Sequence, residues 1–388
     1  MIKFIAALTA ALALAACDGG AGPGQGAVSR FADEEAAFAR SDALNSEFGA
    51  TAPVTASPGS EAATPSTTTP FMAETGRGWQ EAVVSVRDLA PIRDFMIEVA
   101  GYEVRASGAL ARDWLTAWGL EGASGEYALM ASPGKDVGWV RLVRFDGVEQ
   151  ALIRPGAQVW DQGGLFSLMV RAEEADLVMD AAHARGWSVF DQPQVFDFGG
   201  LIIKNVVVRL PDGVNLAVYS RVDPPIEGWD DLEGFSYPFN TMAMVHDLAA
   251  ERSFFVEGLG YAPFWEGDYI DPEPVSTNHG LPNNFSHVIP RRTAILQQRP
   301  GEDGRIELMH FDGFDGDDFS DRARLPNLGI LAVRLPVADL DDALARLSVL
   351  SVAPSAGPAA LTLEPYGDIR WAAVRSPSGI IVELIEQP

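Results

Sequence analysis

Cysteine is nearly absent: the chain has one, Cys17, in 388 residues. No intrachain disulfide can form, and zinc sites built from cysteine clusters are excluded. Histidine is scarce too, with five residues. Basic residues are outnumbered, 28 against 54 acidic, for a net charge of −26. That balance repels phosphate backbones and anionic lipid surfaces, so a nucleic-acid partner is excluded and the acidity reads as a solubility adaptation. The sequence shows no nucleophile elbow and no phosphate loop. Glycines 22, 24 and 26 follow no strand and open no βαβ unit, so they make no dinucleotide fingerprint.

What is present is a repeat. RDLAPIRDFMIEVAGY (87–102) and HDLAAERSFFVEGLGY (246–261) agree at eight of sixteen positions, 159 residues apart. ASPGKDVGWVRLVRFDG (131–147) and QRPGEDGRIELMHFDG (298–313) repeat at nearly the same offset. Related segments at a constant offset mark a duplication.

The N-terminus reads as a leader. Lys3 precedes an apolar stretch over residues 4–16, shorter than the ~20 residues that span a bilayer; it fits a secretory signal peptide. Its end, Leu14-Ala15-Ala16-Cys17, resembles the lipobox of bacterial lipoproteins. The resemblance implies cleavage before Cys17, lipidation of Cys17 and anchoring in a bacterial cell envelope. More than one acyl chain makes such an anchor stable. Asp18 points to the periplasmic face of the inner membrane. Residues 18–76, rich in Gly, Pro, Ser, Thr and Ala, read as a disordered tether. Within it, residues 31–48 are compatible with a short helix.

From Trp79 onward the pattern is globular. EAVVSV (81–86) is β-rich, and Leu89, Ile92, Phe95, Met96 and Val99 form one helical stripe ended by Gly101. Strands follow at YEVRASG, EYALMA (126–131) and GWVRLVRF (138–145). The same order recurs from LFSLMVR (165–171), from FNTMAMV (239–245) and from LGILAVRL (328–335). The fold class is α+β: four βαβββ modules in two pairs, an N-terminal domain over 77–225 and a C-terminal domain over 235–388, with a linker at 223–234.

The two Asp-Leu openings with their Gly-Tyr endings, and the closing strands LPDGVNLAVYS and SPSGIIVELIE, resemble the vicinal oxygen chelate superfamily of glyoxalase I, extradiol dioxygenases and bleomycin resistance proteins. The resemblance covers residues 79–387. It implies that two modules curl into a cup, and that catalytic members hold a divalent metal with a first-strand residue, often His, and a last-strand Glu from each module. The metal acts as a Lewis acid.

On that alignment the first copy offers Glu81, Arg141, Leu165 and Ala217, and the second Asn240, Glu307, Leu328 and Glu383. The first copy reads as a degenerate site whose centre a Glu81–Arg141 ion pair would fill. The second keeps two carboxylates, so Glu307 and Glu383 are the candidate catalytic and metal residues. Asn240 would add an oxygen ligand, and His287, in the long segment before Arg291, is a candidate ligand-binding proton carrier. The cofactor this allows is a divalent metal, Mg²⁺, Mn²⁺, Fe²⁺ or Ni²⁺; an all-oxygen set favours hard ions such as Mg²⁺, Mn²⁺ and Ca²⁺ over zinc. Without a metal, Glu307 and Glu383 would bond arginines or backbone amides, or serve metal-free acid–base chemistry.

His183, His246, His279 and His310 read as structural or surface residues, and the acidic run 312–321 lacks EF-hand spacing. Trp114, Trp118, Trp139, Trp265 and Trp371 are available to line a cavity. Three functions are compatible: a membrane-anchored protein binding a small molecule in the C-terminal cup, a metal-dependent lyase, isomerase or dioxygenase of glyoxalase type, and a non-catalytic periplasmic scaffold.

Overall fold

The computed structural model describes residues 70–388 except 157, 198–199, 201, 226–231, 233, 278–279 and 302. The expected leader, Cys17, residues 18–69 of the tether, the 31–48 helix and His279 lie outside the described residues.

Four modules follow one another. The first has β1 (Glu81–Ser85), α1 (Ala90–Glu98), β2 (Glu103–Ala109), α2 (Arg112–Ala117), β3 (Ser124–Ala131) and β4 (Trp139–Asp146). The second has β5 (Ser167–Arg171), α3 (Ala175–Ala184), β6 (Ser188–Val189), β7 (Gln194–Asp197), β8 (Ile202–Arg209) and β9 (Asn215–Asp223). The third has β10 (Asn240–Met244), α4 (Leu248–Ser253), β11 (Ala262–Tyr269), α5 (Asn283–Ser286), β12 (Arg291–Gln297) and β13 (Arg305–Phe311). The fourth has β14 (Gly329–Pro336), α6 (Leu340–Val349), β15 (Ala356–Leu363), β16 (Gly367–Arg375) and β17 (Ile381–Glu386).

Local chemistry sets the helices. Proline in its first turn starts α1, and Ile92, Phe95 and Met96 face inward. Gly101, at φ 71°, takes the left-handed conformation that ends it. Asp247 and Asp339 cap α4 and α6 by accepting from Ala250 N and Asp342 N, at 3.0 and 2.9 Å. The short helix α2 was not expected; its Trp114 and Leu115 are buried.

The modules pair differently from the expected halves. One sheet of eight strands runs β15-β16-β17-β14-β1-β4-β3-β2, joining the fourth module to the first. The other, of nine, runs β11-β12-β13-β10-β5-β9-β8-β6 with β7 on β8, joining the third to the second. The seams are antiparallel: β1 with β14, and β10 with β5. Residues 77–225 and 235–388 therefore do not form separate cups. All four modules present a similar first-strand edge, so the repeat identifies the modules without fixing which edges meet.

Side chains alternate between two faces of each sheet. Ala82, Val84, Leu142, Val333 and Leu384 of the first sheet join Leu168, Val170, Ala243 and Leu308 of the second in one core with Ile92, Phe95, Val178, Leu340 and Leu347. Helices α1, α3, α4 and α6 thus sit between the sheets. The opposite, concave faces carry separate clusters, one around Trp139, Phe145, Trp371 and Ile385, the other around Met169, Tyr219, Met242 and Met309. Backbone contact also ties the two sheet systems: a Cβ on Gly78, at φ +104°, would lie 2.5 Å from Gly304 O, so only glycine fits there.

Candidate functional site

The cup made by the first and fourth modules has an ionic centre. Glu81 of β1, Arg141 of β4, Arg334 of β14 and Glu383 of β17 are each at most 2% exposed. Arg141 donates from Nε to Glu81 Oε1 at 2.6 Å and from Nη2 to Glu81 Oε2 at 3.1 Å. Arg334 donates from Nε to Glu383 Oε2 at 2.5 Å and from Nη1 to Glu81 Oε1. Tyr366 OH donates to Glu81 Oε2 at 2.9 Å, and the indoles of Trp114 and Trp118 donate to Glu383 Oε1 at 2.8 and 3.0 Å. The unexpected α2 supplies Trp114, and the residue that ends it is Trp118.

Two carboxylates and two guanidinium groups cancel, and this makes burial tolerable. Burial pushes the Glu81 carboxyl up, but Arg141 and Arg334 outweigh it and hold it below the usual range. Burial pulls Arg334 down, and Glu383 and Glu81 outweigh that, holding it above its ordinary value. Above the quartet lies a cavity of about 160 Å³ bounded by Trp114, Tyr127, Arg141, Arg334, Leu363 and Glu364, among others. Exposed Ala109, Thr362 and Glu364 form part of its wall, so it reaches the surface.

The cup made by the second and third modules is different. Glu307 of β13 is 1% exposed and accepts from Asn240 Nδ2 at 3.2 Å. Its Oε1 has no hydrogen-bond partner. It pairs with Ile295 across β12 and stands level with Met242, in the cluster that holds Met169, Ala217 and Met309. Burial pushes its carboxyl well above the usual range, only partly offset by Asn240. Glu307 is a buried carboxyl in a mostly apolar setting, where burial favours its protonated form.

The sequence-expected residues are thus redistributed. Glu307 and Glu383 lie in different sheets, so they do not share a metal or a substrate; Asn240 stays with Glu307. The Glu81–Arg141 pair is present as expected. Arg334 was missed, although a lone arginine inside LGILAVRL was its signal. Leu328 and Leu165 precede their strands; Ala332 and Ser167 stand where Glu81 and Asn240 stand relative to the acidic residue before each helix.

His287 ends α5, half-buried, with Nδ1 unpartnered. No hydrogen bond joins it to Glu307 or Asn240. Its segment does cover the second cup, since Leu281, Phe285 and Ile289 pack on that cluster. His310 Nδ1 lies 3.0 Å from Val245 O, and exposed His246 is 3.6 Å from Asp315.

Neither cup fits a divalent metal. In the first, two guanidinium groups already occupy the space between the carboxylates, so a cation would be repelled. In the second, one carboxyl, pushed up by burial, and one carboxamide stand among thioethers and alkyl groups, too few oxygens to hold an ion. Among the described residues no group of three or more His, Cys, Asp or Glu is placed to hold an ion.

Solved structures share this architecture. Glyoxalase I from Zea mays matches with a TM-score of 0.52 at 16% identity, over 80% of this chain and 92% of that one. A single-site variant of the same enzyme matches at 0.54 and 16%, over 80% and 94%. The chain has the vicinal oxygen chelate fold. No family model matches the sequence, and no curated protein matches it significantly. At this identity the likeness is one of fold, and a vicinal-oxygen-chelate fold hosts many chemistries. Among the described residues no helix is long and apolar enough to cross a membrane.

Proposed function

We propose that this vicinal-oxygen-chelate protein binds a small organic molecule, without a metal, in the cup of its first and fourth modules, and that lipidated Cys17 anchors it to the bacterial envelope on the periplasmic side. One observation carries the binding reading: a surface-reaching cavity lies against two buried arginines whose charges are balanced from below. Polar groups converging on a mostly apolar concavity are what orient a bound ligand. The expected site in a separate C-terminal cup moves accordingly. Glu383 contributes from beneath, by holding Arg334, and Glu307 belongs to the other cup.

Leader and tether support the anchor. Residues 18–69 are long enough to hold the globular part away from a membrane, and the net charge of −26 disfavours adhesion to anionic lipid.

The test is a fragment screen by protein-observed NMR on the full-length protein, with Mn²⁺ and Ni²⁺ as separate titrants. Shifts at Tyr127 and Leu363 with organic fragments, without saturable metal binding, support the reading. Saturable metal binding at Glu81 or Glu383 defeats it, and no fragment binding in this cup favours the scaffold. Labelling with a radioactive fatty acid, lost in Cys17→Ser, checks the anchor.

A further inference from the structure

We infer that the ligand of this cup is a small, electrically neutral molecule carrying a carbonyl acceptor on a flat apolar body. The inference rests on the binding reading above and adds the chemical class. Size comes first. Drug-sized ligands fill pockets of roughly 300–1,000 Å³, whereas a cavity of roughly 150 Å³ takes one benzene ring. With about 160 Å³ here, the body is a single ring or its aliphatic equivalent.

Polarity follows from which donors are used. Arg141 spends Nε and Nη2 on Glu81 and on Glu364 O, and Arg334 spends Nε and Nη1 on Glu383 and Glu81. Among the described residues, Arg334 Nη2 has no hydrogen-bond partner, while Arg141 also meets the Tyr127 side chain. Both residues bound the cavity. Guanidinium nitrogens donate and never accept, so the ligand must present an acceptor; an apolar occupant would strip water from the open donor and return nothing.

Charge follows from the sum. Glu81 and Glu383 already cancel Arg141 and Arg334. An anionic ligand would be an uncompensated buried charge, approaching a chain of net charge −26 past Glu364 at the rim. A cation would face guanidinium groups. A neutral carbonyl satisfies the open donor and leaves the balance intact. Tyr127, whose ring lies 4.4 Å from Arg141 Cζ, and Trp114 supply flat walls for the body.

The test compares four probes on the full-length protein by NMR titration: benzamide, benzoate, benzylamine and toluene. Benzamide is expected to bind at least about tenfold tighter than each of the other three, with shifts at Tyr127 and Trp114. Ala109→Trp narrows the cavity from an exposed position without touching the quartet; it is expected to weaken benzamide about tenfold while the melting temperature holds. If benzoate or benzylamine binds tighter than benzamide, or toluene binds equally, the class is wrong and the cup is still a binding site. If benzamide binds unaffected by Ala109→Trp, the assignment of its site is wrong. If none of the four binds, the binding reading falls and the class with it.

Discussion

Glu81 and Arg334 face each other across the antiparallel seam where β1 meets β14, 253 residues apart in the chain. This pair closes the first sheet between the first and fourth modules. It also puts a guanidinium group between Glu81 and Glu383, where a metal-binding cup would put its ion. The seam that completes the cup is therefore also what removes the cation site.

Breaking the quartet on one side should be severe. Arg334→Met leaves Glu81 and Glu383 both short of a partner at no more than 1% exposure, and loss of one side of a buried ionic group typically costs about 3–5 kcal/mol. Urea denaturation should show a loss of that order. The double variant Arg334→Met with Glu383→Leu should recover part of it, because fewer buried charges are left uncompensated.

Glu307 should behave in the opposite way. Burial pushes its carboxyl well above the usual range and its Oε1 lacks a partner, so Glu307→Gln should change stability at pH 7 by less than about 1 kcal/mol. Glu383→Gln, which weakens the bond to Arg334, should cost clearly more. Equal losses in the two variants, measured in parallel, would show that the second cup also holds an ionised carboxylate.

A pH effect should come from Glu251 on α4. Its carboxylate accepts from Ser378 N at 2.9 Å, on the turn between β16 and β17, so it links the third module to the fourth. Burial pushes its carboxyl up to about 7, opposed by hydrogen bonds from Ser376 and Ser378. The folded state then holds a proton that the unfolded chain, near 4.5, has released. Its contribution is fully present below pH 4.5 and is lost as pH rises to 7, by up to roughly 3 kcal/mol. Glu251→Gln should flatten this part of the pH–stability curve and be the more stable protein at pH 8.

Splitting the chain tests the pairing. If each sheet needs both halves, residues 70–225 and 232–388 should each be insoluble or unfolded alone, since each would leave the β1, β5, β10 or β14 seam edges bare. Co-expressed, they should associate into one folded complex. Two halves that fold separately, judged by dispersed NMR spectra, would contradict the seams.

Much of the fold was legible in the sequence. The period of two in WVRLVRF and the helical stripe of Ile92, Phe95 and Met96 follow from local geometry, and they held to within a residue or two. The Glu81–Arg141 pair was legible because both residues belong to one module, in adjacent parallel strands. Arg334 and the indoles of Trp114 and Trp118 were not legible as its partners, because they reach the quartet across the seam and from an insertion between β2 and β3.

The sequence by itself determined the modules, their count and their order of strand and helix, because these depend on contacts a few residues apart. Only the tertiary structure decided which modules share a cup. That choice rests on edge pairing between strands far apart in the chain, for which all four first strands are similar candidates. It separated Glu307 from Glu383, left one buried among methionines, and bound the other into a quartet with an opening above it.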